Sequence, residues 1–200
     1  MSSKEKDEAI STITEIAEEL KTIQSIRAIA LYGDIEEERA SETINGIIAM
    51  YYSGLSDENE ESEELNFFIS THGGDTEEMF AIYDTMRMFR DKMPIVTIGL
   101  GKVMSAGILL LAAGEKGKRK VGENCRFMLH AVTGRTSSGS IHRINNDMNE
   151  FKWTQGRYVE LLSLESNLTK PQIKRIMSKK LNTYFDANKA LEYGIIDEII

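Results

Sequence analysis

The chain is almost without cysteine, with Cys125 alone among 200 residues. A single thiol forms no internal disulfide, which fits a reducing compartment, and it leaves no second thiolate for a structural zinc site. Long apolar runs are missing as well. No stretch approaches the roughly 20 apolar residues of a membrane-spanning helix, and the acidic N-terminus lacks the pattern of a signal peptide. The expectation is a cytoplasmic protein with no membrane partner. Basic charge is scarce too: 24 Lys and Arg against 32 Asp and Glu leave a net charge of −8. That balance argues against a nucleic-acid or membrane-surface binder. Nothing resembles a phosphate-binding P-loop, so no nucleotide cofactor is expected.

What is present is a 41% hydrophobic chain, large enough for one substantial core. Residues 4–26 carry Ile10, Ile13, Ile16, Ala17, Leu20 and Ile23 among Glu and Lys, the pattern of an amphipathic helix that needs a partner surface. A strand over 28–31 and a helix over 37–53 follow, then an acidic loop over 56–64 that reads as solvated surface. The strand predicted over 65–70 runs into Thr71-His72-Gly73-Gly74-Asp75, and a helix over 75–91 turns Met79, Ile82, Met86 and Phe89 inward. Next come strand 95–98, helix 105–113 and strand 126–130. Beyond a polar stretch, Ser140 caps a long helix over 141–164; helices over 170–179 and 186–193 and a strand over 195–197 close the chain. Strands alternating with helices predict an α/β fold with a parallel sheet. Functional groups of such folds collect at the carboxyl ends of the strands. Gly73-Gly74, Ser105 and His130 all fall there.

Ser105 is the sharpest of these. It lies between the β-branched run Ile95-Val96-Thr97-Ile98 and the apolar run from Ile108 to Ala113, at a strand-to-helix junction. The first N–H groups of a helix have no intrahelical partner and favour a developing oxyanion. Twenty-five residues on, His130 ends the strand Phe127-Met128-Leu129 and offers a base. A serine and a histidine at two strand ends point to nucleophilic catalysis. The structural alternative for Ser105 is a simple helix cap, and for His130 a satisfied core side chain. The segment does not match the Gly-x-Ser-x-Gly elbow, because position 103 is Val. Nor does Gly99-x-Gly101 complete a dinucleotide fingerprint, because position 104 is Met.

Together these residues resemble the proteolytic subunit of the ATP-dependent Clp protease, a serine peptidase family. The resemblance covers about residues 27–198 and rests on Gly73-Gly74, on residues 81–86, on Met104-Ser105-Ala106-Gly107 through Gly114, on Phe127-Met128-Leu129-His130, and on residues 190–197. It implies a crotonase-like fold of stacked βαβ units with a protruding strand-helix handle, spanning 27–200 as one peptidase domain after the N-terminal helix 1–26. It also implies a homo-oligomer of heptameric rings, two of them stacked into a tetradecamer around a proteolytic chamber. An ATP-driven unfoldase would feed it unfolded polypeptide, with no metal or cofactor in this chain. Carried over by position, Ser105 is the nucleophile and His130 the general base. Gly74 and Ala106 supply the oxyanion N–H groups, and the arm 132–140 with helix 141–164 forms the handle.

The resemblance breaks at the third triad position. The family carries Asp there, and this chain carries Asn182, with Asp186 as the rival. An amide can orient a histidine but supplies no charge to an imidazolium; an Asp→Asn change in another serine triad costs about 10⁴ in turnover. An Asp at a helix start is more often an N-cap. Lys180 and Leu181 also replace the family's charged pair before that position, and His72 stands where a proline commonly precedes the two glycines. The expected activity is therefore an endopeptidase weakened by Asn182. The alternative is a weakly active or inactive regulatory subunit that co-assembles with partner subunits. An acyl-CoA enzyme on the same fold would not need the Ser-His pair, and a Ser-Lys site through Lys102 competes poorly with His130.

Overall fold

The computed structural model describes residues 27–54, 63–134, 140–178 and 182–200. The expected N-terminal helix, most of the acidic loop, the middle of the arm (135–139) and Lys180-Leu181 lie outside the described residues. Two βαβ units open the fold. Strand β1 (Ala28–Tyr32), helix α1 (Glu37–Ser53), strand β2 (Leu65–Thr71), helix α2 (Thr76–Phe89) and strand β3 (Ile95–Met104) follow one another. β1 pairs with β2 and β2 with β3, all parallel. Parallel neighbours need crossover connections, and α1 and α2 provide them. The predicted inward face of α2 is the one that packs: Met79, Ile82 and Met86 are wholly buried, and Phe89 nearly so.

β3 is longer than its sequence predicts. Gly99 and Gly101 read as a turn, yet the strand runs on through both to Met104, with Gly101 at φ +67°. The extension matters because β3 then pairs with two strands in turn. Its Ile98-Gly99 segment holds β4 (Lys120–Val121), and its Lys102–Met104 end holds β5 (Arg126–Leu129). Between β3 and β4 in the chain lies α3 (Ala106–Ala112), every residue of which is buried. β6 (Thr183–Phe185) adds antiparallel to β5, and its register sets Phe127 opposite Phe185 and Leu129 opposite Thr183. The final strand β7 is Glu198–Ile199, pairing with β4, rather than the 195–197 stretch. Ile195 and Ile196 are instead buried after the turn at Gly194, where φ is +64°.

Helix α4 (Ile141–Glu165) divides into two halves. Ser140 caps it, accepting from the Arg143 N–H at 3.4 Å. Ile141, Met148 and Trp153 of the first half are exposed, whereas Tyr158, Val159, Leu161 and Leu162 of the second half enter the core. The far end is anchored by Glu165, which is 2% exposed. Its carboxylate accepts from Tyr83 Oη at 2.8 Å and from Arg87 and Arg90 at 3.2 and 3.4 Å. A buried carboxylate is tolerated only when so paired. Arg119, also buried, donates to the Asp197 carboxylate and to the Glu165 and Gly194 carbonyls, tying the C-terminal segment to the same point. Helix α5 (Lys170–Met177) and helix α6 (Ala187–Glu192) complete the chain.

Candidate active site

Three segments meet at the carboxyl end of the sheet, as the sequence predicts: the β2–α2 turn, the β3–α3 junction and the end of β5. Ser105 stands at the N-cap position of α3, yet its side chain makes no capping bond. It adopts φ +53° and ψ −122°, and among the described residues it is the only non-glycine with positive φ. Such a conformation costs about 1–3 kcal/mol and persists only where the surroundings enforce it. β5 enforces it from one side: the Ser105 N–H donates to the Met128 carbonyl at 2.7 Å. The same strand delivers His130, whose Nε2 lies 2.8 Å from Ser105 Oγ. The β3–β5 pairing therefore sets Ser105 and His130 against each other, with Met104 opposite Met128 in register.

Burial lowers the pKa of His130 below the ordinary imidazole value of 6.5. Among the described residues no carboxylate offsets that burial, so the ring is neutral at neutral pH and able to accept the Ser105 proton. The other conceivable nucleophile is inert. Cys125 is buried and its thiol is pushed up to about 11, so almost none of it ionises at neutral pH.

The β2–α2 turn forms the opposite wall. Ile35 takes the Gly73 carbonyl on its N–H, and its own carbonyl accepts from the Asp75 N–H, both at 2.8 Å. Alternation along an extended backbone then turns the Gly74 N–H away from Ile35. The Gly73 N–H is already satisfied by Thr71 Oγ1 at 2.9 Å, which leaves Gly74 as the donor of this turn. Ala106, the first residue of α3, presents the second free N–H. Side chains would spoil the turn. A Cβ on Gly73 would stand 2.7 Å from that of Ser105, and one on Gly74 would collide with the Ile35 backbone. Gly73, Gly74, Ser105, Ala106 and His130 share one cavity of about 370 Å³, closed further by Met128, Tyr158 and Met177.

Asn182 stands differently. The β5–β6 ladder pairs 127 with 185, 128 with 184 and 129 with 183, so its continuation brings 182 opposite His130. Asn182 and His130 line a neighbouring cavity of about 690 Å³ with Lys152, Gln155 and Lys174. Yet the Asn182 amide is exposed; among the described residues its hydrogen bond is to Tyr184 Oη, at 3.5 Å, and none joins it to the imidazole. Asp186 is not near the base. It caps α6 by accepting from the Lys189 N–H at 2.9 Å, and it belongs to a surface hollow with Arg126. His72 sits at the rim of the Ser105 cavity, 3.9 Å from an Asp34 carboxylate oxygen, and Lys102 does not line that cavity.

Two residues of the site escape sequence reading. Thr71 and Tyr158 both act through backbone atoms, Thr71 on the Gly73 N–H and Tyr158 on the Ser105 carbonyl at 2.9 Å. The Thr71 contact is a local turn bond two residues long, whereas the Tyr158 contact spans 53 residues and has no local sequence signal. Among the described residues no helix is long and apolar enough to cross a membrane, and no cluster of three His, Cys, Asp or Glu is gathered.

Comparison with known proteins adds two findings. Residues 11–200 match the model of the family described as Clp protease. The ATP-dependent Clp protease proteolytic subunit of Deinococcus radiodurans is 32% identical over 160 residues, covering 80% of this chain and 75% of that one.

Proposed function

This chain belongs to the Clp protease family, and on that premise we propose that it is a serine endopeptidase subunit working through Ser105 and His130. The 2.8 Å contact between Ser105 Oγ and His130 Nε2, at a serine held in a strained conformation, carries the reading. Neutral His130 takes the Ser105 proton as Oγ attacks a peptide carbonyl. The Gly74 and Ala106 N–H groups receive the oxyanion; loss of one such donor typically costs about 10²–10³ in turnover. The imidazolium then protonates the leaving amine, and water resolves the acyl-enzyme by the same route. Asn182 takes the third position, as an orienting amide without charge.

The wider proposal follows the family. The domain 27–200 assembles into stacked heptameric rings in the cytoplasm, and a partner ATPase delivers unfolded polypeptide to the chamber. The exposed apolar residues Ile141, Ile144, Met148 and Trp153 on the first half of α4 suit burial between subunits. A second reading, a regulatory subunit of low activity, draws support from the missing bond between Asn182 and His130.

The test is labelling of the assembled protein by a fluorophosphonate probe, with Ser105→Ala beside it. Labelling that disappears only in the variant is the expected result. An assembled wild-type particle that takes no label would overturn the peptidase reading in favour of the regulatory one.

A further inference from the structure

We propose that Tyr158 is a positioning residue, whose phenolic hydroxyl holds the Ser105 backbone in the conformation that aims Oγ at His130. The inference rests on the Ser105–His130 reading above.

Ser105 has two backbone groups through which a positive φ can be enforced. Its N–H is fixed by the Met128 carbonyl at 2.7 Å. Its carbonyl would be held only by the Ile108 N–H at 3.1 Å, a tight turn-type bond, were it not for Tyr158. Tyr158 Oη donates to that carbonyl at 2.9 Å from a helix 53 residues away in sequence. The two holds come from opposite directions, β5 on the amide and α4 on the carbonyl. Together they fix the peptide planes on both sides of Cα, and hence the direction of Cβ and Oγ.

The tyrosine is well suited to a fixed role. It is 4% exposed, in the part of α4 that packs against the core, so its ring has little freedom. Burial raises the hydroxyl's pKa far above its usual range, so it is protonated and a donor at neutral pH. It donates to the carbonyl and has no bond to Ser105 Oγ or to His130, so it carries no proton in the reaction. Its ring also lines the Ser105 cavity, which gives the rival role: a wall for substrate and nothing more.

The two roles separate in Tyr158→Phe, which keeps the ring and deletes one donor. With a fluorogenic peptide, positioning predicts a kcat about tenfold lower, the scale of one lost hydrogen bond, with KM unchanged. Fluorophosphonate labelling should slow by the same factor, at unaltered particle mass. A raised KM with unchanged kcat, or no change at all, would overturn the proposal. A crystal structure of the variant decides independently of activity. The expected result is a Ser105 backbone relaxed from positive φ, or an Oγ–Nε2 separation beyond hydrogen-bond reach. A variant that keeps the wild-type φ and contact refutes positioning. Should the wild-type protein prove unreactive, the peptidase reading fails, and the variant's crystal structure still decides what Tyr158 does.

Discussion

On the Ser105 side of His130, four features converge: the 2.8 Å contact to Oγ, the Met128 carbonyl on the serine amide, Tyr158 on its carbonyl, and the glycine turn across the cavity. On the Asn182 side the strand register brings the amide opposite the ring, and no hydrogen bond follows. The difference is one of backbone against side chain. The proposed nucleophile is aimed through its own peptide groups, one held by the β5 backbone and the other by the Tyr158 hydroxyl. The residue proposed to orient the ring depends on its own side chain, and at position 182 that is a neutral amide. A site can thus keep its nucleophile geometry while its base is weakly supported.

Removing the base collapses that comparison altogether. His130→Ala should lower kcat by about 10⁴–10⁶, as losing a member of a catalytic unit does, with particle mass unchanged by light scattering. Turnover within tenfold of wild type would remove His130 from the mechanism. The charge on the weak side is tested next. Asn182→Asp should raise kcat, with the roughly 10⁴-fold cost of the reverse change elsewhere as its ceiling. It should also move the pH profile. Burial alone keeps His130 below 6.5, so kcat/KM of the wild type should fall only on acidification past that lowered value, where the base becomes protonated. A carboxylate opposite the ring favours imidazolium and raises the pKa, so the acid limb of the variant should shift to higher pH. An unchanged acid limb with unchanged kcat would mean that Asn182 does not face the base.

The same contrast governs what the sequence discloses. Periodicity finds α1 and α2 and the inward residues of α2, and the small-residue junction and the strand-end histidine single out Ser105 and His130. Those signals are local. Gly99 and Gly101 mislead, because glycine reads as a turn where β3 actually continues to meet β5. The strand β6 is three residues long, too short for alternation to register, and its partner lies far away in sequence. Ile195 and Ile196 look like a strand, but their apolar side chains fill the core while the pairing belongs to Glu198 and Ile199. Tyr158 and the Glu165 cluster act through contacts between residues distant in the chain, which leave no pattern to read.

Asp186 supplies the smallest effect and the cleanest contrast with Asn182. Both are candidates for the third position of the proposed triad, and only four positions separate them. The ladder distinguishes them: 182 continues opposite His130, while 186 continues opposite Arg126 at the other end of β5. The Asp186 carboxylate is already committed to the Lys189 N–H at the start of α6. Asp186→Ala should therefore cost about 1 kcal/mol of stability, the usual loss for an N-cap, read as a shift of the urea midpoint. Its kcat and acid limb should match the wild type. If this variant instead lost activity as His130→Ala does, the charge that supports the imidazole would come from the cap. The open side of His130 would then be closed by a rearrangement that brings Asp186 to the ring, and Asn182 would be a bystander.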